Sequence, residues 1–229
     1  MSLTKKFKQQ YEERNTNDFL DKIQEADFIE ILRLSDRNCI TALIGSELQV
    51  SHKIAKKIAE LASLQGAQTI LLLDALHEER DDEFMEDKPN NLDVIECGYD
   101  DFNGFISAMS RIATADKEMI IISDATPSFR SEDMYNPIKS FGQCCGRLRE
   151  EANRLGKNIK LLLIGYGNSN ELSSYDAVWF DNILDIHDTK YPEFYLIKDR
   201  KSNHYPLRDK IIGFSLENDL DCIHFFEEK

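Results

Sequence analysis

The sequence predicts an α/β protein in which one mostly parallel sheet lies between two layers of helices. Three observations support this fold class. Four strongly apolar segments indicate buried strands, and amphipathic segments with helical periodicity alternate with them. The last third of the chain instead contains short strand-like segments without long helices between them, which predicts antiparallel strands at one edge of the sheet. The 229 residues, 41% hydrophobic, suffice for one such domain with a substantial core.

The first 34 residues are predicted to form an N-terminal helical arm, and residues 35–229 to form the core domain. Residues 1–17 are polar and charged, and from Asp18 to Leu34 apolar residues recur at roughly helical intervals. The next segment, "NCITALIG", predicts a short buried strand. The segment "SHKIAKKIAELASLQG" then predicts a helix with one apolar face, for which Gly66 is the expected stop.

The middle of the chain continues the alternation. The segment "QTILLLDA" has no polar alternation, which is typical of a strand covered on both faces. It precedes an acidic surface loop, "LHEERDDEFMEDKPNNLD", a short strand, "DVIECG", and a helix, "YDDFNGFISAMSRIATA". The third and fourth strong strands are "EMIIISDATPSF" and "IKLLLIGYG". Apolar residues between them keep a three- and four-residue spacing, which predicts a buried helical stripe.

The last third predicts short strands joined by turns. The strand segments are "YDAVWFDNILDIHD", "EFYLIKDR" and "KIIGFSLE". Pro192, Asn203 and Pro206 mark the turns between them. No internal repeat or domain linker interrupts the chain.

The composition restricts the classes of function. The chain carries 28 basic and 42 acidic residues, a net charge of −14, which opposes free association with nucleic acid and either helps solubility or meets a basic partner. No apolar run has the length of a membrane span, and no apolar stretch follows the basic N-terminus, so we expect a cytoplasmic protein without a membrane partner. The five cysteines form no CxxC pair, which predicts reduced thiols and no metal site.

One strand-to-helix segment has the outline of a phosphate-binding loop. In "ITALIGSELQVSHKIAKKIAEL", Gly45 follows the strand at the position where the pattern G-x-x-x-x-G-K-[ST] begins. Val50, Ser51 and His52 then stand in place of the glycine, the lysine and the hydroxyl residue. Without the lysine, the loop lacks the cation that neutralises the β- and γ-phosphates. Asp124 ends the strand "MIIISD", where an aspartate that orients Mg²⁺ belongs.

The order of these elements resembles the RecA-like ATPase superfamily, especially its branch of replicative helicases (DnaB-like) and circadian-clock ATPases (KaiC-like). The resemblance runs from about Asn38 to Leu216. Its most specific part is the closing hairpin "FYLIKDRKSNHYPLRDKIIGFSL", in which Lys198 and Arg200 match a K-x-R pair. In the family this pair reaches the nucleotide of the neighbouring subunit. Residues i and i+2 of a strand share a face, so we expect both side chains to enter one pocket. His204 falls where some clock-type members carry a histidine.

The chain also departs from the family pattern. Tyr166 replaces the usual glutamine after the fourth strand, and the segment that forms a long DNA-binding loop in the family is only "GNSNELSSYD". The position of a catalytic glutamate stays open between Asp74, Glu78 and Glu79. A second resemblance, to the MinD/ParA and bacterial tyrosine-kinase class, ranks lower because only one helix separates "MIIISD" from "KLLLIG". That class also requires the missing lysine.

Each site residue also has an interpretation without function. Gly45–His52 can be an ordinary strand-to-helix turn, and Asp124 can cap the turn before Thr126. Lys198 and Arg200 can form a solvated face of an edge strand that blocks aggregation.

The functional prediction is a RecA-like pseudo-ATPase that acts as an assembly or regulatory subunit, in a nucleic-acid-processing or another ATPase complex. The remnant of the nucleotide pocket is Gly45, Ser51, His52 and Asp124. No catalytic residue is assigned, and no cofactor is expected, ATP and Mg²⁺ included. The partner is a protein or another copy of the chain, on which residues 1–32 would pack as a swapped arm. Two alternatives stay open: a nucleotide-binding ATPase or GTPase with a non-standard phosphate loop, and a nucleic-acid-binding module.

Overall fold

The computed structural model describes residues 23–25, 29, 38–45, 48–74, 82–97, 107, 111, 118–124, 137–166, 180–189, 193–202, 212–216 and 223–229. Ten strands and three helices have bounds within these residues. In chain order they are β1 (Ile23–Glu25), β2 (Ile40–Gly45), α1 (Leu48–Leu64), β3 (Gln68–Asp74), α2 (Asp82–Asp87), β4 (Leu92–Cys97), β5 (Glu118–Ser123), α3 (Pro137–Arg154), β6 (Asn158–Tyr166), β7 (Asn182–Asp188), β8 (Phe194–Ser202), β9 (Ile212–Leu216) and β10 (Ile223–Glu228).

All ten strands belong to one sheet, in the order β1-β10-β9-β8-β7-β2-β6-β5-β3-β4. Within this order, six adjacent strands pair in parallel: β7, β2, β6, β5, β3 and β4. The four pairings from β7 through β8, β9 and β10 to β1 are antiparallel. The prediction of a mostly parallel sheet extended by antiparallel strands at one edge is therefore confirmed.

The helices cover both faces of the sheet because the apolar strands alternate between two cores. Alternate residues of the parallel strands pack with Ile54 and Ile58 of α1 on one face. The intervening residues pack with Cys145 and Leu148 of α3 on the other face. Strands enclosed in this way need apolar side chains at every position, which explains the unbroken apolar segments in the sequence. The core on the α1 side also includes Phe225 and other side chains of the antiparallel strands.

The two long helices end in the same way. Gly66 follows α1 with φ +91° and Gly156 follows α3 with φ +67°. At the first end, the Gly66 N–H donates to Ser63 O and the Ala67 N–H donates to Ala62 O. At the end of α3, the Gly156 N–H donates to Asn153 O and the Lys157 N–H donates to Ala152 O. Both are Schellman motifs, in which glycine supplies the left-handed residue. The expected stop at Gly66 is confirmed.

Two predictions of local structure are wrong. Ile23–Glu25, within the predicted helical arm, is a strand that pairs with β10, because the outer edge of β10 offers backbone groups that need partners. Asp82–Asp87, within the predicted acidic loop, is a short helix whose Phe84 packs against the α1-side core.

The rest of the predicted arm, and a second predicted helix, lie largely outside the described residues. Of the remaining arm, the structure describes Ile29, which is helical and buried in the α1-side core. The helix predicted over "YDDFNGFISAMSRIATA" is described at Ser107 and Arg111, both of which are helical. No helix among the described residues is both long enough and apolar enough to span a membrane.

Candidate functional site

The predicted pocket residues come from elements that meet at one edge of the sheet. β2 ends at Gly45 and β5 ends at Ser123, and both strands are parallel to β6, which lies between them. Their carboxyl ends therefore lie at the same edge, which we call the carboxyl edge. Helix α1 begins there at Leu48, and Asp124 directly follows β5. In open α/β sheets, ligands bind at this edge.

His52 and Asp124 form a buried pair at the carboxyl edge. The Nδ1 atom of His52 hydrogen-bonds the Oδ2 atom of Asp124. Only 5% of His52 and 6% of Asp124 is exposed to solvent. The Asp124 N–H also donates to Leu72 O of β3, 3.1 Å away, which fixes the backbone that carries the carboxylate. Sequence reasoning identified both residues and missed their contact, because each was compared with a family position and not with the other.

This pair changes what Asp124 can do. A carboxylate that orients Mg²⁺ offers an oxygen to the metal or its water shell, and Oδ2 of Asp124 is instead bonded to a side chain of the same protein, so a metal could use this oxygen only by competing with His52. Val50, which stands at the second glycine of the pattern, is 6% exposed and packs in the α1-side core. Ser51, which the sequence comparison sets against the lysine of the pattern, carries no cation. Among the described residues, no group of three or more His, Cys, Asp or Glu could hold a metal ion.

Gly45 has a packing reason to be glycine. A Cβ atom added there would lie 3.2 Å from Cδ1 of Ile186 on β7. A side chain at Gly45 would therefore crowd Ile186, and the flexible end of that isoleucine would have to give by a few tenths of an ångström. Of the other predicted positions, the side chains of Ser51 and Tyr166 and the whole of His204 lie outside the described residues.

Lys198 and Arg200 lie on β8 and are both exposed. The structure does not bring them to the His52–Asp124 pair, because β7 separates β8 from β2. A β-bulge also interrupts the ladder here: Asp199 pairs with Leu184 and Lys201 pairs with Ile183, which skips Arg200. The two-residue alternation does not hold across a bulge, so a shared face no longer follows from the spacing. The role of this pair stays a prediction.

Asp185, which sequence reasoning did not single out, lies directly opposite Lys198. Its Oδ1 atom is buried and accepts no hydrogen bond from the part of the chain that the structure describes. Opposite charges at facing positions of neighbouring strands attract each other. Lys198 therefore has a candidate partner within its own chain, whereas Arg200 has no facing residue on β7.

Comparisons with known proteins identify the fold. No protein-family model matches the sequence, and no curated protein does. Among solved structures, the ATPase domain of a DnaB-like helicase matches 97% of this chain over 98% of its own length, with a TM-score of 0.57 and 11% sequence identity. The chain therefore has a RecA-like fold like that of a helicase ATPase domain. At this identity the likeness extends to the fold alone.

Proposed function

We propose that this chain is a non-catalytic RecA-like subunit that assembles with, or regulates, an active ATPase. The observation that carries the proposal is the buried contact between His52 and Asp124. In a working site that aspartate would serve a bound metal, and here it serves a histidine of the same chain. The RecA-like fold supports the comparison of positions, because it provides the carboxyl edge at which both residues lie.

Electrostatics also favours this proposal over an unusual nucleotide-binding enzyme. A nucleoside triphosphate needs cationic partners, and the segment Val50–His52 supplies no lysine or arginine. The net charge of −14 further opposes binding of a free polyanion. The same charge disfavours a direct nucleic-acid binder, although it does not oppose contact with nucleic acid through a complex.

Binding of a fluorescent ATP analogue in the presence of Mg²⁺ tests the proposal. We expect no binding at micromolar protein concentration, and light scattering on the same sample gives the state of self-association. Binding or turnover of the nucleotide that Asp124→Asn abolishes would contradict the proposal and would support an ATPase with an unusual loop. Affinity for single-stranded DNA that falls steeply with salt would instead support the nucleic-acid module.

The regulatory half of the proposal concerns Lys198 and Arg200. Both are exposed on β8, so their cationic groups are accessible to a neighbouring subunit. We expect the double change Lys198→Ala/Arg200→Ala to lower the ATPase activity of the complex that co-purifies with the tagged chain, while the stability of the isolated chain is nearly unchanged. The matched control is Arg147→Ala/Arg154→Ala, which removes the same charge from exposed positions of α3.

The single variants separate the two roles of Lys198. If Lys198 only attracts Asp185 within the chain, Lys198→Ala lowers stability slightly and leaves the complex active. If the two residues act on a neighbour's nucleotide, Arg200→Ala alone lowers the activity. Unchanged activity of the double variant would count against a trans-acting role.

A further inference from the structure

We propose that the His52–Asp124 pair is an internal clamp that replaces a ligand, holding α1 against β5 in one arrangement whether or not a nucleotide is present. This inference deepens the proposed non-catalytic role and rests on it. We use the name clamp for these two residues only.

The clamp connects parts of the sheet that are not neighbours. His52 belongs to α1, which follows β2, and Asp124 follows β5. β6 lies between β2 and β5, and the two residues are 72 positions apart in the sequence. The hydrogen bond therefore fixes the start of α1 to a strand that its own preceding strand does not touch.

The opposite end of α1 is held by other hydrogen bonds. The side-chain amide of Asn91 donates to Ser63 O at 2.9 Å and to Ala67 O at 2.7 Å, and the Schellman motif closes the helix at Gly66. Apolar side chains of α1 pack on the sheet between these two ends. With the clamp in place, both ends of the helix are held by bonds within the chain.

Burial makes the clamp costly to open. An Asp124 carboxylate that is 6% exposed needs a donor where little water reaches it, and the His52 ring supplies one. A ligand that displaced His52 would have to supply a replacement donor or charge where little water reaches Asp124. The clamped arrangement is thus favoured without any ligand.

Hydrogen exchange of backbone amides at the start of α1 and the end of β5 tests the clamp. We compare the wild type with His52→Ala, Asp124→Ala and the double variant. Each single change removes one partner of a buried pair, and we expect exchange roughly 100-fold faster at both places. Because the two residues act as one unit, the double variant is expected to exchange no faster than the faster single variant.

The control is Ser63→Ala, on the same helix. Ser63 is 3% exposed, and its Oγ atom has no hydrogen-bond partner among the described residues, so its loss leaves exchange at the carboxyl edge unchanged. If His52→Ala does not fold, His52→Asn and His52→Leu replace it. An asparagine amide can donate to Asp124 and is expected to restore more of the protection than leucine does.

The outcomes separate the clamp from the proposed function. Single variants that exchange like the wild type, or a double variant equal to the sum of two independent effects, would overturn the clamp even if the wild type binds no nucleotide. If adding Mg²⁺ and ATP slows exchange at the carboxyl edge of the wild type, a ligand holds this edge, and the proposed function fails with the clamp. Exchange unaffected by ATP in the wild type and accelerated in both single variants supports the clamp.

Discussion

At the scale of single residues, Gly213 occupies a position that cannot accept a side chain unless its surroundings move. A Cβ atom there would lie 2.0 Å from Tyr195 O and 2.7 Å from Cζ of Phe226. The first contact is with the backbone of β8, which pairs with β9 and cannot withdraw. We expect Gly213→Ala to lower the free energy of unfolding by about 3 kcal/mol, as severe overpacking does, measured by urea denaturation.

Gly45→Ala is the comparison for Gly213→Ala. Its Cβ would approach Cδ1 of Ile186 at 3.2 Å, and that atom is the flexible end of a side chain. The loss of stability should therefore be clearly smaller than at Gly213. Equal losses would mean that the backbone of β8 and β9 relaxes more easily than this spacing implies.

Asp181 accepts two hydrogen bonds that should contribute differently to stability. Its Oδ2 atom accepts hydrogen bonds from the Ile40 N–H at 2.9 Å and from the Arg149 guanidinium at 3.1 Å. The loss of both in Asp181→Ala should cost about 2 kcal/mol in the free energy of unfolding. Arg149→Ala removes only the part-exposed ion pair and should cost less than about 1 kcal/mol. Urea denaturation of both variants checks the order, and the reverse order would contradict it.

At the scale of elements, the two long helices depend on glycine for their ends. Gly66 and Gly156 have positive φ, and a Cβ at either position would meet nothing within 4 Å. The cost of alanine is therefore backbone strain alone, about 1 kcal/mol at each position. We expect thermal or urea unfolding to show this loss for Gly66→Ala and for Gly156→Ala, and the sum of both in the double variant, since the sites are on different helices.

Asparagine provides the control for this prediction. It tolerates the left-handed conformation better than alanine does, so Gly66→Asn should retain part of the lost stability. Equal losses for alanine and asparagine would point to a cause other than backbone strain.

Elements with one dominant signal were predictable from the sequence. The buried strands β3 and β6 are unbroken apolar segments, because each faces a core on both sides. The stripe on α3 and the stop at Gly66 follow from helical periodicity and from the conformational freedom of glycine. These signals are local, so they predict structure without information about tertiary contacts.

Other elements were not predictable because their cause lies far away in the chain. Ile23–Glu25 is a strand because it pairs with β10, near the opposite end of the sequence, and its own spacing resembled a helix. The bulge at Arg200 depends on how β8 pairs with β7. At the candidate site, the pattern indicated His52 and Asp124 separately, whereas their contact depends on the order of strands in the sheet.

At the scale of the whole molecule, one core unites the parallel and antiparallel parts of the sheet. The α1-side core contains Ile58 of α1 and Leu43 of β2 together with Phe214 of β9 and Phe225 of β10. Phe214 and Phe225 also contact each other edge-on, with ring centroids 6.3 Å apart. Because these side chains share one continuous cluster, the antiparallel extension should not unfold separately from the parallel sheet.

Two core truncations at distant points of this cluster test that cooperativity. Ile58→Ala and Phe225→Ala each remove a buried side chain, at 0% and 4% exposure. Each should cost roughly 3 kcal/mol in the free energy of unfolding. If the sheet unfolds as one unit, each variant shows a single transition at a lower temperature, with equal calorimetric and van't Hoff enthalpies. A second transition in Phe225→Ala alone would show instead that β8, β9 and β10 form a separate cooperative unit.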